Sequence, residues 1–296
     1  MAWLRTVPSE YRTRMNCEEF KTASLTTLGQ SHHILVGAER CCAGHMMRPD
    51  GYHLMAECCQ RTAFSGDKGK GTITRHNVFN RAVAGLVSEA GLQASLEEEV
   101  PWRVGAIPIG QAHRPRGDLT VFSVPKADGT SYTAYCDVSF ISVYKGDGTM
   151  QRGADKPGGV SKLREAEKHA KYANAVGGVG VPLVVEQFGR MGEGLIKFVG
   201  TLAKVQAAKA LCVPYGEAKE HSSYARVHGA ALNHCFMVLS VTAAREQARL
   251  IIKGAQFANR RPGGALPLAV AAVGAGVGLL SGVGLLPAQG ALSTAP

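Results

Sequence analysis

The feature that most constrains this chain is the alternation in residues 133–143, TAYCDVSFISV. Cys136, Val138 and Phe140 fall on one side of an extended segment, and Asp137 and Ser139 on the other. A strand with this pattern buries one face in a core and keeps the other for polar work. Asp is disfavoured in the middle of a strand, so Asp137 between apolar neighbours calls for a partner or a role. Just upstream, 118–124 reads as a second strand, joined through Asp128-Gly129, a turn signal. Asp118 opens that strand. A carboxylate at a strand start often serves as a cap or turn residue. Held beside Asp137 by a hairpin, it could instead share a divalent cation that activates water on a phosphodiester.

The flanking segments predict what covers this hairpin. Phe79, Val83, Leu86, Val87 and Ala90 recur at helical spacing over 76–90, and Gly91 closes the run. A strand is expected at 95–100, a Gly-rich loop over 145–160 and a helix over 161–175. A buried strand is expected at 181–186, VPLVVE. Leu195, Phe198, Val199 and Leu202 mark another helix, and a long helical pattern spans 226–256. Helices interleaved with strands predict an α/β fold, a mixed sheet covered by helices. Phe20, Leu25 and Leu28 predict a short amphipathic helix near the start, with those side chains on its buried face.

Residues 40–75 are rich in Cys, His, Gly and charge, and read as a small irregular module. Cys42-x2-His45 and His53-x4-Cys58 can supply four ligands to a tetrahedral Zn2+, with Cys41 and Cys59 as neighbours able to substitute. Such a closed site staples a loop and leaves no open position for catalysis. The opening residues lack the apolar stretch of a signal peptide, so the eight cysteines are expected to be reduced. The net charge of +10 favours an anionic partner such as nucleic acid. Residues 262–296 differ in composition. The uncharged run 266–289 is long enough to span a bilayer, but Gly interrupts it, with Pro near each end. A low-complexity, disordered tail is the favoured reading and a membrane helix the minor one.

The order of motifs resembles the C-terminal region of non-LTR retrotransposon polyproteins that carry a restriction-like endonuclease. The similar elements are the Cys42–Cys58 knuckle, Arg75-His76-Asn77, Arg114-Pro115-x-x-Asp118, Cys136-Asp137-Val138 and Lys168-x-x-Lys171-Tyr172. PLVVEQFG, 182–189, and LSVTAAREQARLI, 239–251, also look like that family's tail. The resemblance covers about residues 2–256. It departs at Arg116-Gly117, which interrupt the usual Pro-Asp. It departs again at His45, which fills the second Cys position, and at Ser139, where a compact form of the motif places lysine.

The resemblance implies a restriction-endonuclease-like domain over 76–256, preceded by a knuckle module over 1–75 and followed by the tail from 257. It implies a metal-dependent DNA endonuclease that nicks target DNA in an intracellular, nuclear setting, with element RNA as a further partner. Asp118 and Asp137 would bind Mg2+ or Mn2+. Lys168 or Lys171 would supply positive charge from a helix, with Tyr172 on the same helix face as Lys168. Arg75, His76 and Arg114 would meet nucleic acid. Glu186 is expected either as a further carboxylate near the metal or as an acceptor for helix-terminal hydrogen bonds. His76 is expected either to face DNA or to hold the start of its helix through a backbone bond. The competing expectations are a catalytically inactive nucleic-acid-binding relic and a degenerate fragment of such an element.

Overall fold

A computed structural model describes residues 14–36, 40, 46–51, 54–55, 70–101, 117–126, 128–144 and 149–259. The described elements are helix α1 (Cys17–Thr27), helix α2 (Lys70–Glu89), strands β1 (Ala94–Leu96), β2 (Leu119–Pro125) and β3 (Ser131–Ile141), and helix α3 (Gly159–Tyr172). Strand β4 (Gly178–Glu186), helix α4 (Glu193–Leu211) and helix α5 (Tyr224–Asn259) follow. The fold is mixed α/β, with one four-stranded sheet in the order β1-β2-β3-β4. The first three strands are antiparallel neighbours, and β4 runs parallel to β3. A parallel neighbour requires a crossover, and α3 is that crossover.

Alternation on β3 sorts the two faces of the sheet. Cys136 and Val138 pack with Leu183 and Val185 of β4 into the main core. That core is closed by Phe79, Val83 and Leu86 of α2, Leu195, Phe198 and Leu202 of α4, and Val238 and Leu239 of α5. On the opposite face lie Tyr135, Asp137 and Ser139, and α3 covers them. Asp137 and Ser139 are therefore buried rather than solvated. β4 has helices on both sides, and Leu183, Val184 and Val185 are all fully buried, as its unbroken apolar run predicts. In β2 the register shifts between Val121 and Val124, and Ser123 adopts a positive φ of 53°. The extra residue lets both valines enter the same core.

Three elements differ most from their sequence reading. The strand expected at 95–100 is only Ala94–Leu96, followed at once by Glu97 with a positive φ of 58°. The helix expected at 76 starts at Lys70. GTIT at 71–74 carries no apolar period, so nothing in the pattern marks that first turn. In α1 the buried face is Glu19, Thr22, Ala23 and Thr26, while Phe20 and Leu28 are 53% and 64% exposed. The small side of α1 docks on α5, with Ala23 against Val241, Ala244 and Ala248. Asn16 and Glu19 form a capping box at its start. Glu19 also accepts a 2.6 Å bond from Arg249 Nε of α5.

α5 is long and apolar enough to cross a membrane by length and composition. Along its length it packs in turn against the sheet core, against α1 through Ala244 and Ala248, and against Leu35, Met47, Leu54 and Met55 through Ile251 and Ala255. The stretch 266–289, Arg114, and the four expected zinc ligands Cys42, His45, His53 and Cys58 lie outside the described residues.

Candidate active site

Asp137 is the centre of the buried polar face. It is 4% exposed, and α3 delivers three donors to it. Lys168 Nζ donates to Oδ1. Lys171 Nζ donates to Oδ2 at 2.8 Å, and the Tyr172 hydroxyl donates to the same oxygen at 2.9 Å. Lys168 and Tyr172 are one helical turn apart and share a face. Lys171 reaches the same carboxylate from the flank, its ammonium 4.8 Å from the Tyr172 ring centroid. The two lysines differ in access: the Lys168 side chain is 10% exposed and that of Lys171 42%.

Burial works against a charged Asp137, but the hydrogen bonds and charges of Lys168 and Lys171 outweigh it and hold the carboxyl below its ordinary range. Burial pulls the Lys168 ammonium down, partly offset by Asp137. Tyr172 is pushed well above the usual phenol range, first by burial and then by the charge of Asp137. It is a neutral donor.

Asp118 stands one step beyond the Leu119–Cys136 pair of the β2–β3 ladder, opposite Asp137 on the same face. Its N–H bonds to Cys136 O at 2.9 Å. Its Oδ2 accepts the Val138 N–H at 2.7 Å, where β2 no longer offers a carbonyl. The cap reading of Asp118 is thus part of its role. The same oxygen lies 2.9 Å from His76 Nε2. His76 does not open its helix, which begins six residues earlier, and its ring bonds a carboxylate rather than backbone. The Asp118 hydrogen bond raises the His76 pKa above its ordinary value, against a smaller opposing effect of burial. Among the described residues, Asp118 Oδ1 has no hydrogen-bond partner.

A pH dependence follows. A raised His76 pKa means the folded state holds its proton more tightly than the unfolded chain. That contribution is complete below about pH 6.5, the free imidazole value, and is lost as pH rises through the folded pKa. The depressed Asp137 acts the other way. Its contribution is present above about pH 3.9 and is lost as pH falls through the folded value. Denaturant titrations of wild type and His76→Gln should therefore differ most in mildly acidic buffer and converge in alkaline buffer. A gap that widens with pH would show that the imidazole is not held as a cation.

The remaining expected site residues separate. Arg75 is buried, its guanidinium carbon 4.3 Å from the Phe140 ring centroid on the core side of β3. The side chain expected to meet nucleic acid is turned against the sheet. Glu186 lies four residues along β4 from Pro182, the partner of Asp137. Its Oε1 accepts the Ser161 N–H at 3.1 Å, in the first turn of α3. Of its two expected roles it fills the helix-terminal one, where a carboxylate also meets the positive end of the helix dipole. Sequence reading missed Asn80, buried one turn beyond His76, with Nδ2 3.3 Å from His76 Nδ1. The i, i+4 spacing of His76 and Asn80 was the available signal. It also missed Glu165, buried, which accepts the Gly194 N–H at 2.9 Å and ties α3 to α4.

Among the described residues, no three His, Cys, Asp or Glu side chains converge as a ready ligand set. Mg2+ does not need one, because it keeps several waters and commonly takes one or two carboxylates plus substrate oxygen. Asp118 and Asp137 are hard oxygen donors side by side. Their donor chemistry suits such an ion, although both oxygens of Asp137 are already engaged by Lys168, Lys171 and Tyr172. The chain matches no family model and no curated protein.

Proposed function

We propose that this chain is a metal-dependent DNA endonuclease, a restriction-endonuclease-like domain of the kind carried by non-LTR retrotransposons. The observation that carries the reading is Asp118, at the foot of β2, lying opposite Asp137 of β3, with Lys168 brought onto Asp137 by the crossover helix. Asp118 and Asp137 would hold Mg2+ or Mn2+. The ion would supply charge neutralisation at the scissile phosphate and a more acidic bound water. Lys168 is the better placed of the two lysines for transition-state stabilisation, because burial fixes its ammonium and removes competing water. His76 positions Asp118, and Asn77 Oδ1, 3.3 Å from His76 Nδ1, is the acceptor that orients a protonated imidazole. The net charge of +10 suits a DNA or RNA partner, in keeping with nuclear work. Zn2+ bound by Cys42, His45, His53 and Cys58 would order the segment before α2, and Arg114 would add a phosphate contact.

One observation favours a second reading, an inactive nucleic-acid-binding relic. Both oxygens of Asp137 are already satisfied by protein donors, so the network is electrostatically complete without an ion. The two readings separate on supercoiled DNA. Wild-type protein with Mg2+ or Mn2+ should convert it to the nicked form, with loss of activity in a chelator and in Asp118→Asn. Binding without cleavage under either ion would select the relic. Neither binding nor cleavage would leave only a degenerate fragment of such an element.

A further inference from the structure

We propose that Lys171 is a displaceable stand-in for the metal on Asp137, leaving Oδ2 when a divalent cation binds and then holding a substrate phosphate. This rests on the nuclease reading and assigns the two lysines separate tasks.

The argument starts from the lone pairs of Oδ2. A carboxylate oxygen offers about two acceptor sites, and Lys171 and Tyr172 fill both, at 2.8 and 2.9 Å. A cation coordinating Oδ2 needs one of them. Tyr172 is a neutral donor and can remain beside a metal ion. An ammonium in the same place would face a doubly charged cation at close range, a repulsion that the buried surroundings of Asp137 screen poorly. Lys171 is therefore the donor that must leave.

The structure also supplies its exit. The Lys171 side chain is 42% exposed, against 10% for Lys168, so one reaches solvent and the other does not. The Tyr172 ring beneath the Lys171 ammonium gives a cation a second favourable contact on the way out. Lys168 stays on Oδ1, held by burial, and keeps Asp137 oriented. Once released, Lys171 carries its charge at the rim of the site, where a phosphodiester must pass. Metal loading and substrate binding are then coupled: the ion frees the group that grips the anion.

The test is Mn2+ binding by calorimetry on the full chain, alongside activity-independent DNA binding with Ca2+ present. Lys171→Met should bind Mn2+ about tenfold or more tightly than wild type, because binding no longer breaks a charge-assisted hydrogen bond. Lys171→Arg should restore the weaker affinity. Lys162→Met, which removes an exposed charge from the same helix, should change Mn2+ affinity much less and so separates displacement from general electrostatics. In wild type, Ca2+ should strengthen DNA binding, and Lys171→Met should lose that gain. Equal Mn2+ affinity in wild type and Lys171→Met, with binding abolished by Asp137→Asn, overturns the stand-in role and leaves the nuclease reading intact. An equal effect of Lys162→Met also overturns it. If neither wild type nor Lys171→Met shows Mn2+ binding that depends on Asp137, the metal-nuclease reading fails together with this one.

Discussion

Replacing Asp137 with alanine is expected to abolish cleavage and also to destabilise the fold by about 3–5 kcal/mol, the usual cost of stripping one partner from a buried ion pair. The variant leaves the buried Lys168 ammonium and the Tyr172 hydroxyl without the carboxylate. Lys171 loses least, because its side chain reaches solvent. The penalty has a pH signature. An unpaired buried lysine escapes by releasing its proton, so its folded pKa lies below its unfolded one. The variant should therefore regain stability as pH rises into the alkaline range. Urea titrations of wild type and Asp137→Ala at several pH values check both parts. A loss below about 1 kcal/mol, the range of exposed pairs, would mean that the lysines do not depend on Asp137 for their burial.

Gly180→Val should be the other severe change, and it acts on the site without touching a polar group. A Cβ at Gly180 would lie 2.5 Å from Tyr172 Cβ. That atom is anchored directly to the α3 backbone, so no side-chain rotation relieves the clash. The helix must lift from β4. Overpacking of this kind costs about 1–3 kcal/mol, and here the displaced helix carries Lys168, Lys171 and Tyr172 together. Cleavage should fall by more than the stability change explains. Gly200, inside α4 with open space at its Cβ position, is the contrast. Gly200→Ala should be neutral or add up to about 1 kcal/mol through helix propensity. Thermal melts and nicking rates of the two variants decide the matter. A Gly180→Val protein with wild-type activity would show that α3 need not sit tightly on β4.

The two glycine variants also mark where sequence reading stops. Period-two alternation in 133–143 was enough to place Cys136 and Val138 in the core and Asp137 on the other face, because a strand's side chains obey its own pleat. Helical periodicity likewise placed Phe79, Val83 and Leu86 on one buried stripe. It misjudged α1, where Phe20 is exposed and Ala23 is buried. Close docking on Ala244 and Ala248 of α5 selected the small face over the greasy one, and that partner lies more than two hundred residues away.

Residue type and hairpin spacing made Asp118 and Asp137 candidate neighbours, and the family resemblance added Lys168 and Lys171. The alternatives left open at that stage were about partners, and only the packed chain resolved them. Lys168 rather than Lys171 is the buried lysine because the angle of α3 on the sheet points one side chain inward and the other to the flank. His76 bonds Asp118 because α2 packs beside the β2–β3 hairpin and brings Nε2 within 2.9 Å of Oδ2. Glu186 serves the first turn of α3 because β4 runs parallel to β3 and carries it four residues past Asp137. Local periodicity reports which face of its own element a residue occupies. Which group meets it there is decided by how elements far apart in sequence cross, and no period in the chain encodes that angle.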